Sequence, residues 1–253
     1  MRRLLSALPA LILTAVLLTV WEVSVRLFNV PVYFLPPPSD VARALVDNGS
    51  VLLASAGQTF WVALKALIVA ALIGGGLAVS VSLSRLAERA VAPLAVTLQV
   101  TPVIAIAPLV LIWFGLDHAD RAVTALAAAI AFFPIFSGVL TGLKSADPDL
   151  ERLFDLHAAS PLRRLWRLRL PSALPFALEG LRVAAGQAVV GAVVAEFVSG
   201  SGAAQGLAWR LLEAGNRLRT ADLLAALVCL ALLGLLLHGA TRLLERRLLR
   251  DRS

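Results

Sequence analysis

Charged residues gather in short clusters along this chain, and the runs between them are long enough to cross a bilayer. A spanning helix needs about 20 mostly apolar residues. Six stretches qualify: 8–28, which grows out of the uncharged run Leu4–Trp21; 66–84; 90–116; 122–143; 174–198, in spite of Glu179, Arg182 and Glu196; and 223–241. Asn48 to Leu64 is uncharged as well, and only Lys65 divides it from the second stretch. One helix over the 37 residues of 48–84 would far exceed a ~30 Å hydrocarbon core. Its first half is therefore expected to lie along the interface and lead into span two. The pattern predicts an all-α integral membrane protein of six transmembrane helices, forming one membrane domain over residues 1–253.

The one long polar interruption, residues 147–171, falls between spans four and five. Asp147 is placed to cap a helix starting at Pro148, with Asp149 and Glu151 in the first turn, where the helix dipole favours acids. That helix should run to about Ala158. Ser160 is placed to cap a second helix with Pro161 in its first position. Pro171 should end it, because the residue before a proline avoids the helical region. The result is two short helices with a tight bend at Ala158-Ala159. In the second, Leu162, Leu165, Trp166 and Arg169 share one side, while Arg163, Arg164 and Arg167 lie on another. A helix this short is marginal in water, so it needs a surface to dock on. A topogenic loop, whose arginines only fix orientation, would not require paired caps and an apolar face.

Composition narrows the class. Hydrophobic residues make up 59% of the 253 and charged ones 15%, more apolar surface than a soluble domain of this size can hide. The net charge of +7 does not point to nucleic acid, because the basic residues flank oily runs without interleaved aromatics. With the N-terminus inside, the inner segments hold 15 Lys and Arg and the outer ones 6, as the positive-inside rule requires. Both termini and residues 147–171 are then expected in the cytoplasm. The 199–222 loop and the rigid stretch Pro31–Ser39 are expected outside. The N-terminus has the charged start of a signal peptide, but its apolar run is long and lacks a clear cleavage site, so a retained first span is expected. Cys229 is the single cysteine and the three histidines are far apart, which excludes an internal disulfide and argues against a metal cluster.

Polar groups inside spans each need a reason, since an ionised side chain costs ~2.5–3.5 kcal/mol at a helix centre. Glu179 and Arg182 are three apart, as a local ion pair would be. Glu196 falls near the outer mouth, where it would line the entrance, meet an external protein or sit solvated at the interface. Gln99 and Gln187 suit interhelical hydrogen bonds or a pathway lining. Pro102 and Pro108 should bend span three. Gln99, Pro102, Pro108, Gln187 and Glu196 are thus the candidate pathway or gate residues. Gly74-Gly-Gly76 suits close helix packing, and His238 an interfacial position.

Leu168-Arg-Leu-Pro171, with Ala159-Ser160 nine residues before it, resembles the cytoplasmic loop of ABC-importer permeases, whose pattern is Glu-Ala-Ala, three residues, Gly, nine residues, Ile-x-Leu-Pro. Arg152, Leu153 and Phe154 stand at the Glu-Ala-Ala positions, the acid is displaced to Glu151, and Ala158 stands where the pattern has Gly. Thr101-Pro-Val-Ile-Ala-Ile-Ala-Pro-Leu109 with Trp113-Phe-Gly115 is similar to span three of the nitrate, sulfonate and taurine branch. Leu181-Arg-Val-Ala-Ala-Gly186 with Val194-Ala-Glu-Phe197 is similar to its span five, and Leu35-Pro-Pro-Pro-Ser39 to its first outer loop. Where the branch has Gly-Leu-Gly, this chain has Gln205-Gly-Leu-Ala208.

The resemblance implies a type I importer permease of the inner membrane that works as a pair of subunits, favouring a homodimer. Its cytoplasmic helices would sit in grooves on two ATPase subunits, and an external binding protein would deliver a small, anionic solute of sulfonate, nitrate or taurine type. The ATPase-coupling residues it implies are Glu151, Ala158, Ala159, Ser160, Pro161, Leu162, Arg163, Arg164, Leu165, Trp166, Leu170 and Pro171. The chain itself should be no enzyme and carry no cofactor. Its two lysines, Lys65 and Lys144, each follow Leu, so no Gly-Lys-Ser/Thr phosphate loop exists and ATP would be bound by the partner. The alternatives are a stand-alone secondary transporter or channel, which would want central acids, and a membrane enzyme, which would want clustered acids and histidines.

Overall fold

The computed structural model describes residues 2–115, 118–199 and 205–249. Leu116, the expected end of span three, and part of the 199–222 loop lie outside them. All regular structure among the described residues is helical: α1 (Arg2–Leu27), α2 (Pro38–Asp47), α3 (Gly49–Ser82), α4 (Arg85–Val100), α5 (Val103–Phe114), α6 (Ala119–Lys144), α7 (Pro148–Leu156), α8 (Pro161–Arg164), a π-helical segment at Leu165–Arg169, α9 (Leu170–Ser199), α10 (Leu207–Asn216) and α11 (Thr220–Leu249). Five helical stretches are long and apolar enough to cross a membrane, and α5 is a shorter apolar helix.

Three of the sequence expectations change. Residues 48–64 do not form a separate interfacial helix. Asn48 stands at the N-cap of α3, and residues 49–64 are the first half of that 34-residue helix, about 51 Å long. Ser55, Thr59, Ala63, Ala66 and Ala70 are all buried, so one small-residue face runs without interruption from the first half into the second and docks both. Span three is broken rather than bent. Thr101 and Pro102 are extended, with Pro102 at ψ 99°, whereas Pro108 stays inside α5. The expected span is therefore the pair α4–α5. Pro171, finally, does not end the second helix of the polar interruption. Residues 161–199 form one 39-residue helical stretch, in which the Leu170 amide reaches back five residues to the Leu165 carbonyl. A π turn widens the backbone ring, and here it lies directly ahead of a proline that brings no N–H to the helix.

The core is α6 against α9, with α3 packed on α6 and α11 on α9. Small residues set the spacing. A methyl group added to Gly180 would lie 2.6 Å from the Pro134 carbonyl oxygen, one on Gly142 2.7 Å from the Ala173 Cα, and one on Gly191 2.8 Å from the Ala127 Cα. In lipid no hydrophobic gain drives helices together, and close backbone packing does so instead. Gly180→Leu is accordingly expected to cost at least about 1–3 kcal/mol, read as a lower thermal unfolding midpoint in detergent. Gly186→Leu, one and a half turns further on with nothing within 4 Å of its added methyl group, should leave the midpoint near wild type. Arg182 of α9 donates to both Glu179 (3.0 Å) and Glu245 of α11 (3.1 Å), so the local ion pair extends into a link between helices. Helix α1 is largely exposed and is tied to α2 through Glu22, which accepts the Ser39 backbone amide at 3.0 Å and its hydroxyl at 2.9 Å.

Candidate functional site

The polar interruption folds as an elbow. Asp147 accepts the Asp149 amide at 2.8 Å and so caps α7, and Ser160 accepts the Arg163 amide at 3.3 Å with Pro161 in the first turn of α8. Between them α7 closes with the Ala159 amide on the Phe154 carbonyl (3.0 Å) and the Ala158 amide on that of Asp155 (2.9 Å), the Schellman pattern. That closure puts Ala158 at φ +47°, a left-handed conformation that costs an L-residue with a Cβ about 1 kcal/mol or more. Ala158→Gly should stabilise the elbow by about 1 kcal/mol. Slower proteolysis at the 157–160 bend would register the gain.

An ion network braces the elbow. Glu151 on α7 accepts Arg169 Nε at 2.7 Å and pairs with Arg164 at 3.0 Å, and Arg164 also holds Asp155. Leu165 and Leu168 are buried beneath it. Leu162 and Trp166, expected on one side with Leu165 and Arg169, part from Leu165: they are 62% and 67% exposed. The brace turns Arg164 and Arg169 toward α7, and the π turn shifts the register, so the buried stripe passes through 165 and 168. The outer surface carries Leu162, Arg163, Trp166 and Arg167; Arg163 and Arg167 border a groove of about 240 Å³ lined also by Phe154 and His157. Ala159, Leu170 and Pro171 are half-buried, the last two at the start of α9.

At the far end of α9, Glu196 is only 3% exposed, neither solvated nor lining an entrance. It accepts the Thr59 hydroxyl at 3.0 Å and the Ala208 amide at 3.2 Å, while Thr59 Oγ1 accepts the Leu207 amide at 2.9 Å. Residues from α3 and α9 thus satisfy two of the free amides at the start of α10. A Cβ on Gly206 would lie 2.2 Å from the carboxylate, so any larger residue there would push Glu196 off its bonds to Thr59 and Ala208.

Gln99 and Gln187 are exposed on the single chain, and neither side-chain amide bonds a described residue. Gln99 borders a groove of about 360 Å³ with Ser137, Thr141 and Glu179. Gln187 follows on the same exposed stripe of α9, after Glu179, Val183 and Gly186. Pro102 and Pro108 are exposed too.

Residues 67–250 match the family described as binding-protein-dependent transport system inner membrane component. The chain belongs to that family. Like this permease along nearly its whole length is a formylaminopyrimidine transport permease protein of Halalkalibacterium halodurans, 34% identical over 98% of each chain. A probable ABC transporter permease protein of Haemophilus influenzae is 33% identical over 91% of this chain and 92% of its own. A taurine transport system permease protein of Escherichia coli is 31% identical over 92% and 86%. Such permeases are membrane components of ABC importers and not themselves enzymes; membership implies an ATPase and a solute-binding partner. Two features of the permease were not legible beforehand: the Glu151–Arg169 brace, whose members come together only once the bend forms, and Thr59, a lone threonine whose partner lies 137 residues away.

Proposed function

We propose that this chain forms half of the translocation pathway of an ATP-driven importer, as one of two identical permease subunits. The elbow lies in the cytoplasm with both termini, and two ATPase subunits bind ATP and receive the elbow's outer surface. An external binding protein delivers the solute at the α10 end. The observation that carries this reading is the elbow itself: an exposed Leu162, Arg163 and Trp166 surface on a braced base, continuous with a membrane-crossing helix. Tagged protein purified in mild detergent should bring down an ATPase subunit. Well-folded permease that brings down none would end the proposal.

Gln99, Gln187 and the Pro102 break line the pathway in this reading, and Glu196 holds the outer end in shape. The solute is small and polar. The branch resemblance and the taurine relative favour a sulfonate. A second reading, a neutral heterocycle of the formylaminopyrimidine kind, is favoured by the groove at Gln99, which offers amide and hydroxyl groups beside an acid and is lined by no cation. Taurine, a sulfonate, and a formylaminopyrimidine stand for the two readings. Competition of the two compounds against uptake in cells expressing the complete importer separates them.

A further inference from the structure

At the α10 end, two cavities meet along the seam between α3 and α11, and Leu52 walls both. The upper one, about 230 Å³, is charged. Arg210 donates to Glu213 (3.0 Å) and to Ser55 (3.1 Å), Arg217 pairs with Glu213 (3.1 Å), and Asn48 donates to Asp222 (3.0 Å), with Arg219 4.0 Å from the same acid. Three arginines against two carboxylates leave one net positive charge, and Arg217 and Arg219 keep 58% and 64% of their side chains exposed. The lower cavity, about 390 Å³, is apolar and open to the side of the bundle; Leu45, Gly49, Leu53, Gly57, Cys229 and Leu236 line it. From Gly49 to Phe60 it runs about 16 Å down α3, close to the ~15 Å of one hydrocarbon leaflet.

We propose that this seam binds one glycerophospholipid with an anionic headgroup, its phosphate beside Arg217 and Arg219 and an acyl chain in the groove below. The cavity has the charge of a phosphodiester's counterpart, and the groove continues it at the depth and polarity of a tail. Glycines at 49 and 57 give the tail room, and a methyl group added at Gly57 meets nothing within 4 Å.

The test uses the full-length protein in nanodiscs of mixed phosphatidylcholine and phosphatidylglycerol, released into a native mass spectrometer. Retained lipid should favour phosphatidylglycerol about fivefold, the factor one basic charge supplies at a membrane surface. Arg217→Glu combined with Arg219→Glu should erase the preference. Gly57→Leu, which fills the groove and leaves the charges alone, should reduce retention of both lipids. Glycerol phosphate, the headgroup without tails, should displace nothing. Equal retention of the two lipids by the wild type, displacement by glycerol phosphate, or ready cross-linking of Cys229 to the Cys229 of a second copy would overturn the proposal. The first would leave annular lipid only, the second a plain anion site, and the third a protein occupant.

Discussion

Replacing Leu162, Arg163 and Trp166 together by Asp is expected to abolish solute uptake while the permease still inserts and unfolds at its normal temperature. Exposed Trp and Arg side chains at the centre of a contact are each worth about 2 kcal/mol or more, so their joint loss weakens docking of an ATPase by roughly a thousandfold. The three are separable from the fold because they stand outside the brace: Leu162 and Trp166 are mostly exposed, and the Ser160 cap uses only the Arg163 backbone. Arg164 belongs to the other class. It is mostly covered and holds Glu151 and Asp155, so Arg164→Ala should lower elbow stability before it touches any partner. Uptake assays beside detergent melting curves distinguish the two. Near-normal uptake by the triple variant at normal expression would remove the coupling role from this surface.

The second large effect is expected at the opposite end. Glu196→Ala should cost about 3 kcal/mol, because it empties a packed site and frees the amide of Ala208 and the hydroxyl of Thr59. Thr59→Val keeps the shape but strands one carboxylate oxygen and the Leu207 amide, at about 2 kcal/mol. Glu196→Gln should be mildest, since one amide oxygen can still accept from Ala208. The two sites share partners, so the Thr59→Val and Glu196→Ala double variant should cost less than the two single costs added together. Melting temperatures, with proteolysis across 205–216 as the local readout, give the cycle. Additive costs would mean that the two residues act separately.

What could be read in the sequence was local or compositional. The crossings follow from uncharged runs, and the elbow's ends from Asp147, Ser160 and Pro161, which act within three residues of themselves. Helices α2 and α10 were missed because a proline triplet and a glycine-rich loop introduce them and each spans only 10 residues. The continuity through Leu170-Pro171 was hidden for a different reason. A proline rule describes an unsupported chain, and here burial of Leu165 and Leu168 holds the helix while a π turn shifts its register. The burial of Glu196 was hidden because the groups that enclose it, Thr59 and the start of α10, arrive from distant parts of the chain.

Glycine contacts join α6 and α9 along most of their length, and the same helix carries the elbow at one end and Glu196 at the other. The permease therefore has few internal degrees of freedom along this axis. A displacement imposed on the elbow moves the anchorage of α10 with it as part of a single rigid body. In the importer proposed above, alternating access would then rest on one subunit sliding past the other, or on flexing at the Thr101-Pro102 break, where the backbone alone among the described crossings is not helical.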